Sequence, residues 1–352
     1  MAGDGLTLGG VTVPPGGRAT IALPVARLHT YTPMTMPVHV IHGRRPGPRL
    51  FVCAAVHGDE LNGVEIIRRL LKLRALSGLR GTLIAVPIVN VYGVINHTRY
   101  LPDRRDLNRV FPGSDSGSLT ARLAHLFDSE ILANCTHGID LHTGALHRNN
   151  LPHVRADLDD AETARLARAF GSPVMLNANL RDGSLREAAK ERGIPMLVYE
   201  SGEALRFNEV CIRAGVRGIT GVMRSLGMLP AGRQGRRVPE PVQARSSAWV
   251  RAETSGIFRA LAPLGGRVGR GQVLGMIANP FGTEELVVTA PAEGIIIARL
   301  HLPLVNEGDA LFHVARFHQA DEAASTVEEF QNTYLEAPHD SEPPIGGPLP
   351  TL

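Results

Sequence analysis

Leu50-Phe51-Val52-Cys53-Ala54-Ala55-Val56-His57-Gly58-Asp59-Glu60 passes in one step from a wholly apolar run to a histidine, a glycine and two acids. The apolar part has the length and composition of a strand buried on both faces, as in a sheet covered by helices. Leu61 to Leu73 then reads as a helix. His57 and Glu60 therefore fall in a strand-to-helix loop, where open α/β sheets collect their ligands. Further on, Gly138-Ile139-Asp140-Leu141 is another short apolar strand, and it leads into His142-Thr143-Gly144. Two imidazoles and one carboxylate are the protein ligands of a catalytic zinc ion, with one position left for water. Taken alone, His-x-x-Glu is a weak pattern, and a single histidine among 14 is more often a surface or hydrogen-bonded residue. The shared placement at strand ends is what selects His57, Glu60 and His142. Asp140 is placed either to orient a ligand imidazole, or to cap a helix or bond neighbouring backbone.

Outward from these two loops the chain alternates. Strands are expected at Thr82–Val89, Pro173–Leu176 and Pro195–Tyr199, and helices at Leu119–Leu132, Ala161–Phe170, Ser184–Arg192 and Asn208–Leu226. Such alternation predicts a mixed, largely parallel α/β sheet with helices on both faces. Residues 1 to about 45, rich in Gly, Pro and β-branched residues, read as strands leading into it, so the main domain spans 1–228. Residues 229–247 are rich in Pro, Gly, Gln and Arg without apolar periodicity and read as a linker. Residues 248–316 change to short β runs between glycine turns, a small all-β module. The last stretch, 317–352, reads as an acidic disordered tail in which an amphipathic helix can form around Ala323–Phe330.

Composition narrows the function. The chain of 352 residues is 43% apolar and 20% charged, ordinary for a globular protein. No apolar stretch approaches the ~18–20 residues of a membrane span, and Met1–Gly5 has no signal-peptide character. Three cysteines at unrelated spacings, Cys53, Cys135 and Cys211, make neither a disulfide framework nor a metal clip, so a cytoplasmic location is expected. Seven acids and no Lys or Arg follow Phe317, so the rest of the chain carries about +10 of formal charge. Nearly all of it is arginine, scattered and without interleaved aromatics, which does not suit a nucleic-acid surface.

Glu200 breaks the apolar run Pro195–Tyr199 abruptly. A carboxylate at that strand end faces the same crevice as the zinc loops, where it can take a proton from an activated water and pass it to a leaving amine; the alternative is a carboxylate that starts a loop and pairs with Arg206. Asp106-Leu107-Asn108-Arg109-Val110-Phe111 offers Arg109 as a planar fork for a carboxylate, with the Asn108 amide beside it. Arg99 is within reach of the same crevice as an oxyanion stabiliser. By spacing alone, Arg99, Arg104 and Arg105 read equally well as solvated loop charges.

His57-Gly58-Asp59-Glu60, then Asp106-Leu107-Asn108-Arg109, then Asp140-Leu141-His142-Thr143-Gly144, then Glu200-Ser201-Gly202-Glu203, in this order, resemble the succinylglutamate desuccinylase/aspartoacylase family of the zinc-carboxypeptidase-like superfamily. The resemblance covers about residues 35 to 230. It implies His57, Glu60 and His142 as ligands of one Zn2+ per chain and Glu200 as general base and acid. It further implies Asn108 and Arg109 as binders of the substrate's α-carboxylate, with Arg99 near the scissile carbonyl. Residues 248–316 resemble the lipoyl-type barrel-sandwich module that trails some members. They contain no lysine, so a swinging-arm carrier is excluded; a lid, a channel wall or a contact in a homo-oligomer are the roles left.

The expected function is a zinc-dependent amidohydrolase acting on a small N-acylated amino acid or related metabolite. A metallocarboxypeptidase cleaving peptide C-termini uses the same zinc and base and is the nearest rival. A non-catalytic binding protein on the same fold is the other. Neither nucleic acid nor membrane is expected as a partner.

Overall fold

A computed structural model of the chain describes residues 5–231 and 240–335. The apolar run quoted above is the centre of the molecule. It forms the strand Arg45–Ala54, which pairs in parallel with Arg80–Val86 on one side and His137–Gly144 on the other. Successive side chains of a strand point to opposite faces, and here both faces are covered. Leu50, Val52 and Ala54 enter one core, with Ile66, Leu70 and Met223, while Phe51 and Cys53 enter a second, with Leu123, Phe127 and Met196.

Across the sheet the strand order is Arg18–Arg27, Pro33–His42, Arg80–Val86, Arg45–Ala54, His137–Gly144, Met196–Glu203 and Arg148–Ala156. The four strands from Arg80–Val86 to Met196–Glu203 run parallel, and the other pairs in this order are antiparallel. The fold is thus a mixed α/β sheet between two helical layers. Polar residues define where the helices begin. Ser118, Asp160, Ser184 and Asn208 each accept a backbone N–H from the first turn, satisfying donors that have no partner within the helix. No helix of the described residues is long and apolar enough to cross a membrane.

The C-terminal part is all-β, as expected, and it is joined to the main sheet. Its strands Gly294–Leu300, Ala310–Arg316 and Ser246–Arg251 are hydrogen-bonded onto the main sheet, with Gly294–Leu300 antiparallel to Arg148–Ala156. A second, four-stranded sheet packs over them. Within the stretch expected to be a linker, Val242–Ala244 is a strand parallel to Val174–Asn177; residues 232–239 lie outside the described residues. Of the stretch read as an acidic tail, Ala320–Leu335 is a helix that contains and extends the one expected around Ala323–Phe330. Ala323, Val327, Phe330 and Tyr334 form its buried stripe, and the last two join the core of the main domain. Burial of this stripe, rather than the charge of the segment, decides its state. Residues 336–352 of the expected tail lie outside the described residues.

Candidate active site

The loop that carries His57 is built by tight backbone geometry. The strand ends at Ala54, and Ala55 adopts φ 53°, a left-handed conformation that a buried alanine accepts only under constraint. The backbone N–H of Asn90 donates to Ala55 O, and the Asn90 side chain bonds Gly93 N and Arg99 O. Gly58 packs directly on Gly93: a Cβ at Gly58 would lie 2.0 Å from the Gly93 carbonyl carbon. His57 and Glu60 are thereby pinned to the segment that carries Arg99.

His57, Glu60 and His142 converge, and all three are buried. Nδ1 of His57 lies 2.7 Å from Oε1 of Glu60, and Nδ1 of His142 lies 2.8 Å from Oε2. The ring edges facing away are also held. Nε2 of His142 is 2.6 Å from Asp140, and Nε2 of His57 is 3.1 Å from Asp106. A carboxylate on Nε2 keeps the proton there and leaves the Nδ1 lone pair for a cation. The Cys53 thiol extends one of these chains by donating to Asp140 at 3.3 Å. The ligand atoms all lie within 4.8 Å of one another, and two nitrogens with one oxygen suit zinc. The residues present therefore fit the ion.

The electrostatics follow from this packing. Burial opposes charge on Glu60, but His57 and His142 outweigh it and hold the carboxyl well below the usual carboxylate range. Burial likewise opposes protonation of His142, and Asp140 and Glu60 overcome it, raising its pKa well above the ordinary value. His57 is raised in the same sense by Glu60 and Asp106. Asp106 is driven down, against the effect of its own burial, by His57 and Arg99.

Arg99, Asn108, Arg109 and Glu200 line one cleft with His57, Glu60 and His142. Glu200 lies opposite His142 on the neighbouring parallel strand, so the two side chains leave the sheet on the same face. Nη2 of Arg99 bonds Asp106 at 2.8 Å, and its Nη1 lies 3.2 Å from Nδ1 of His57 and 3.4 Å from Oε1 of Glu60. Asn108 has a structural bond as well: its Oδ1 accepts the Leu185 N–H at 2.9 Å, so what it offers a ligand is its amide donor. Arg109 is exposed at the rim, with its Nη1 bonded to the carbonyl of Asn108.

Several residues of the cleft gave no sign of themselves in the sequence. Asp106 sits inside a quoted motif, yet nothing in its spacing marks it as the partner of His57. Arg155, Arg181 and Arg186 also line the cleft, which makes five arginines there. Arg186 Nη1 is buried without a hydrogen-bond partner. Burial and the neighbouring Arg155 push its pKa down to about 10. Burial, Arg155 and Arg109 lower Arg181 too. Arg155 lies on Arg148–Ala156, a strand that the polar run Arg148-Asn149-Asn150 and the internal Pro152 conceal from a periodicity reading. An anion in the cleft relieves this mutual repulsion.

Residues 46–226 match the succinylglutamate desuccinylase/aspartoacylase catalytic domain. The chain is 28% identical over 295 residues to the N-alpha-acetyl-L-2,4-diaminobutyric acid deacetylase of Halomonas elongata, spanning 80% of this chain and 85% of that protein. Among solved structures, a succinylglutamate desuccinylase/aspartoacylase from Rhodobacter sphaeroides superposes with a TM-score of 0.77 at 28% identity, covering 86% of this chain and 95% of the other. An aspartoacylase family protein from Mesorhizobium loti superposes at 0.74 with 25% identity, covering 87% and 96%.

Proposed function

The chain belongs to the succinylglutamate desuccinylase/aspartoacylase family, and from that premise we propose that it is a zinc-dependent hydrolase removing the acyl group from a small N-acylated amino acid. The observation that carries this reading is the convergence of His57, Glu60 and His142, each imidazole backed by a carboxylate, in one cleft with Glu200 and five arginines. His57, Glu60 and His142 would hold the ion. When bound, it supplies Lewis acidity, which polarises a carbonyl and brings the pKa of a water to ~7.

Glu200 takes the proton of the water that attacks the amide carbon and returns it to the departing amine. Arg99 donates to the oxygen on which negative charge develops, from a position fixed by Asp106. Arg109 and the Asn108 amide bind a substrate carboxylate, the first as a planar fork and the second as a neutral donor. The remaining arginines favour an anionic substrate over a cationic one. The Halomonas relative is named for an acetylated diamino acid, so that class belongs in the test beside the acidic ones.

The deciding experiment is a hydrolysis screen of the zinc-loaded protein on N-acyl amino acids, N-acyl diamino acids and short peptides, with zinc stoichiometry measured in parallel. Turnover of an N-acyl amino acid supports the reading. Turnover of peptides alone, or a protein that binds no stoichiometric zinc, overturns it.

A further inference from the structure

The strand Arg148–Ala156 is where the main domain meets the C-terminal strands, and it also touches Glu200. It lies between Met196–Glu203 on one edge and Gly294–Leu300 on the other, with Asn150 opposite Gly202 on the first and Ala298 on the second. Nδ2 of Asn150 donates to Oε2 of Glu200 at 3.0 Å. From the same strand, Nη1 of Arg155 stands 3.5 Å from Oε1. The two oxygens of one carboxylate are thus engaged separately by two residues of a single neighbouring strand.

The pairing is irregular at this point. The register shifts between Glu200 and Gly202, and a bulge of this kind re-aims the side chain next to it. Gly202 has φ 75°, and a Cβ there would lie 2.4 Å from Nδ2 of Asn62. A free glutamate side chain samples many rotamers, and proton transfer requires one of them. Arg155 lines the cleft, whereas Asn150 is buried behind it. Asn150 is therefore placed to act on Glu200 and not on substrate.

We propose that Asn150 is a positioning residue for Glu200, holding its carboxylate in the orientation that transfers the proton. The proposal rests on the reading of Glu200 as the proton-transfer group. Asn150 is itself set by strands on both edges, one of them supplied by the C-terminal part of the chain, so that part has a direct route to the reaction.

The test uses the full-length zinc-loaded protein and the substrate turned over fastest in the screen above. Four variants are compared with the parent: Asn150→Ala, the isosteric Asn150→Asp, Glu200→Gln, and Asn150→Ala combined with Glu200→Gln. Glu200→Gln should lower kcat on the order of 10²–10⁴-fold. Asn150→Ala should lower kcat on the order of 10- to 100-fold, the scale of a lost hydrogen bond to a charged group, with KM within about twofold and zinc content unchanged. Asn150→Asp, which keeps the shape but turns a carboxylate toward a carboxylate, should lose at least as much. In the Glu200→Gln background, Asn150→Ala should cost nothing further. A parental kcat in both Asn150 variants overturns the proposal while leaving Glu200 in its role, as does an equal loss from Asn150→Ala in both backgrounds. Full activity in Glu200→Gln overturns the reading of Glu200 itself.

Discussion

At the scale of single residues, the proposed metal site turns on what stands behind each imidazole. His57 and His142 could each present either ring nitrogen, and Asp106 and Asp140 decide which by taking the Nε2 edge. Asp140→Asn and Asp106→Asn should each weaken zinc binding ~10–100-fold, read by competition with a chromogenic chelator. His142→Ala should abolish stoichiometric binding. Unchanged affinity in both carboxylate variants would leave the two aspartates without the role given to them. Gly58 acts through absence of a side chain. Its Cβ position is already filled by Gly93 backbone, so Gly58→Ala should cost at least ~1–3 kcal/mol of stability, visible as a lowered Tm.

At the scale of elements, the strands and helices that matter most were announced unevenly. Helices such as Ala161–Phe170 carry an N-cap, a first-turn acid and a periodic apolar face, and their bounds follow from local rules. Arg148–Ala156 carries the opposite signals and is a strand because strands on both edges demand one. Ala320–Leu335 stands between the two. Its amphipathic centre is legible in the sequence, but the docking of Phe330 and Tyr334 into the main core is not. Phe330→Ala should therefore destabilise the protein by ~3–5 kcal/mol, measured by urea unfolding. A substitution in a disordered tail would leave the transition where it is.

At the scale of the whole molecule, the seam between the main sheet and the C-terminal strands holds buried imidazoles. His153 comes from Arg148–Ala156 and His313 from Ala310–Arg316, with Trp249 stacked on His313 and the Arg148 guanidinium over Trp249. Burial, reinforced by Arg155, brings each histidine down to about 3. Unfolded, the same histidines titrate near ~6.5. Between these limits the unfolded state binds protons that the folded state refuses, so stability falls as pH falls. The contribution is complete above pH ~6.5 and is lost progressively toward pH 3, at up to ~1.4 kcal/mol per pH unit for each group. His153→Gln and His313→Gln should each flatten the decline of Tm between pH 6.5 and 4. An unchanged slope in both would mean that the acid sensitivity arises elsewhere.

By itself the sequence determined the α/β class, the strand-to-helix loop that carries His57 and Glu60, the places of His142 and Glu200 toward the ends of core strands, and the lack of a carrier lysine in residues 248–316. These are local properties: an apolar run, a sudden polar break, a residue type missing from a segment. Only the tertiary structure decided which carboxylate backs which imidazole, that Arg155, Arg181 and Arg186 reach the cleft beside Arg99 and Arg109, and that the C-terminal strands continue the main sheet. Contacts between residues far apart in the chain depend on register and on which face a side chain leaves. Asp106 and His57, 49 positions apart, are brought together by the packing of two loops and leave no mark in either segment alone.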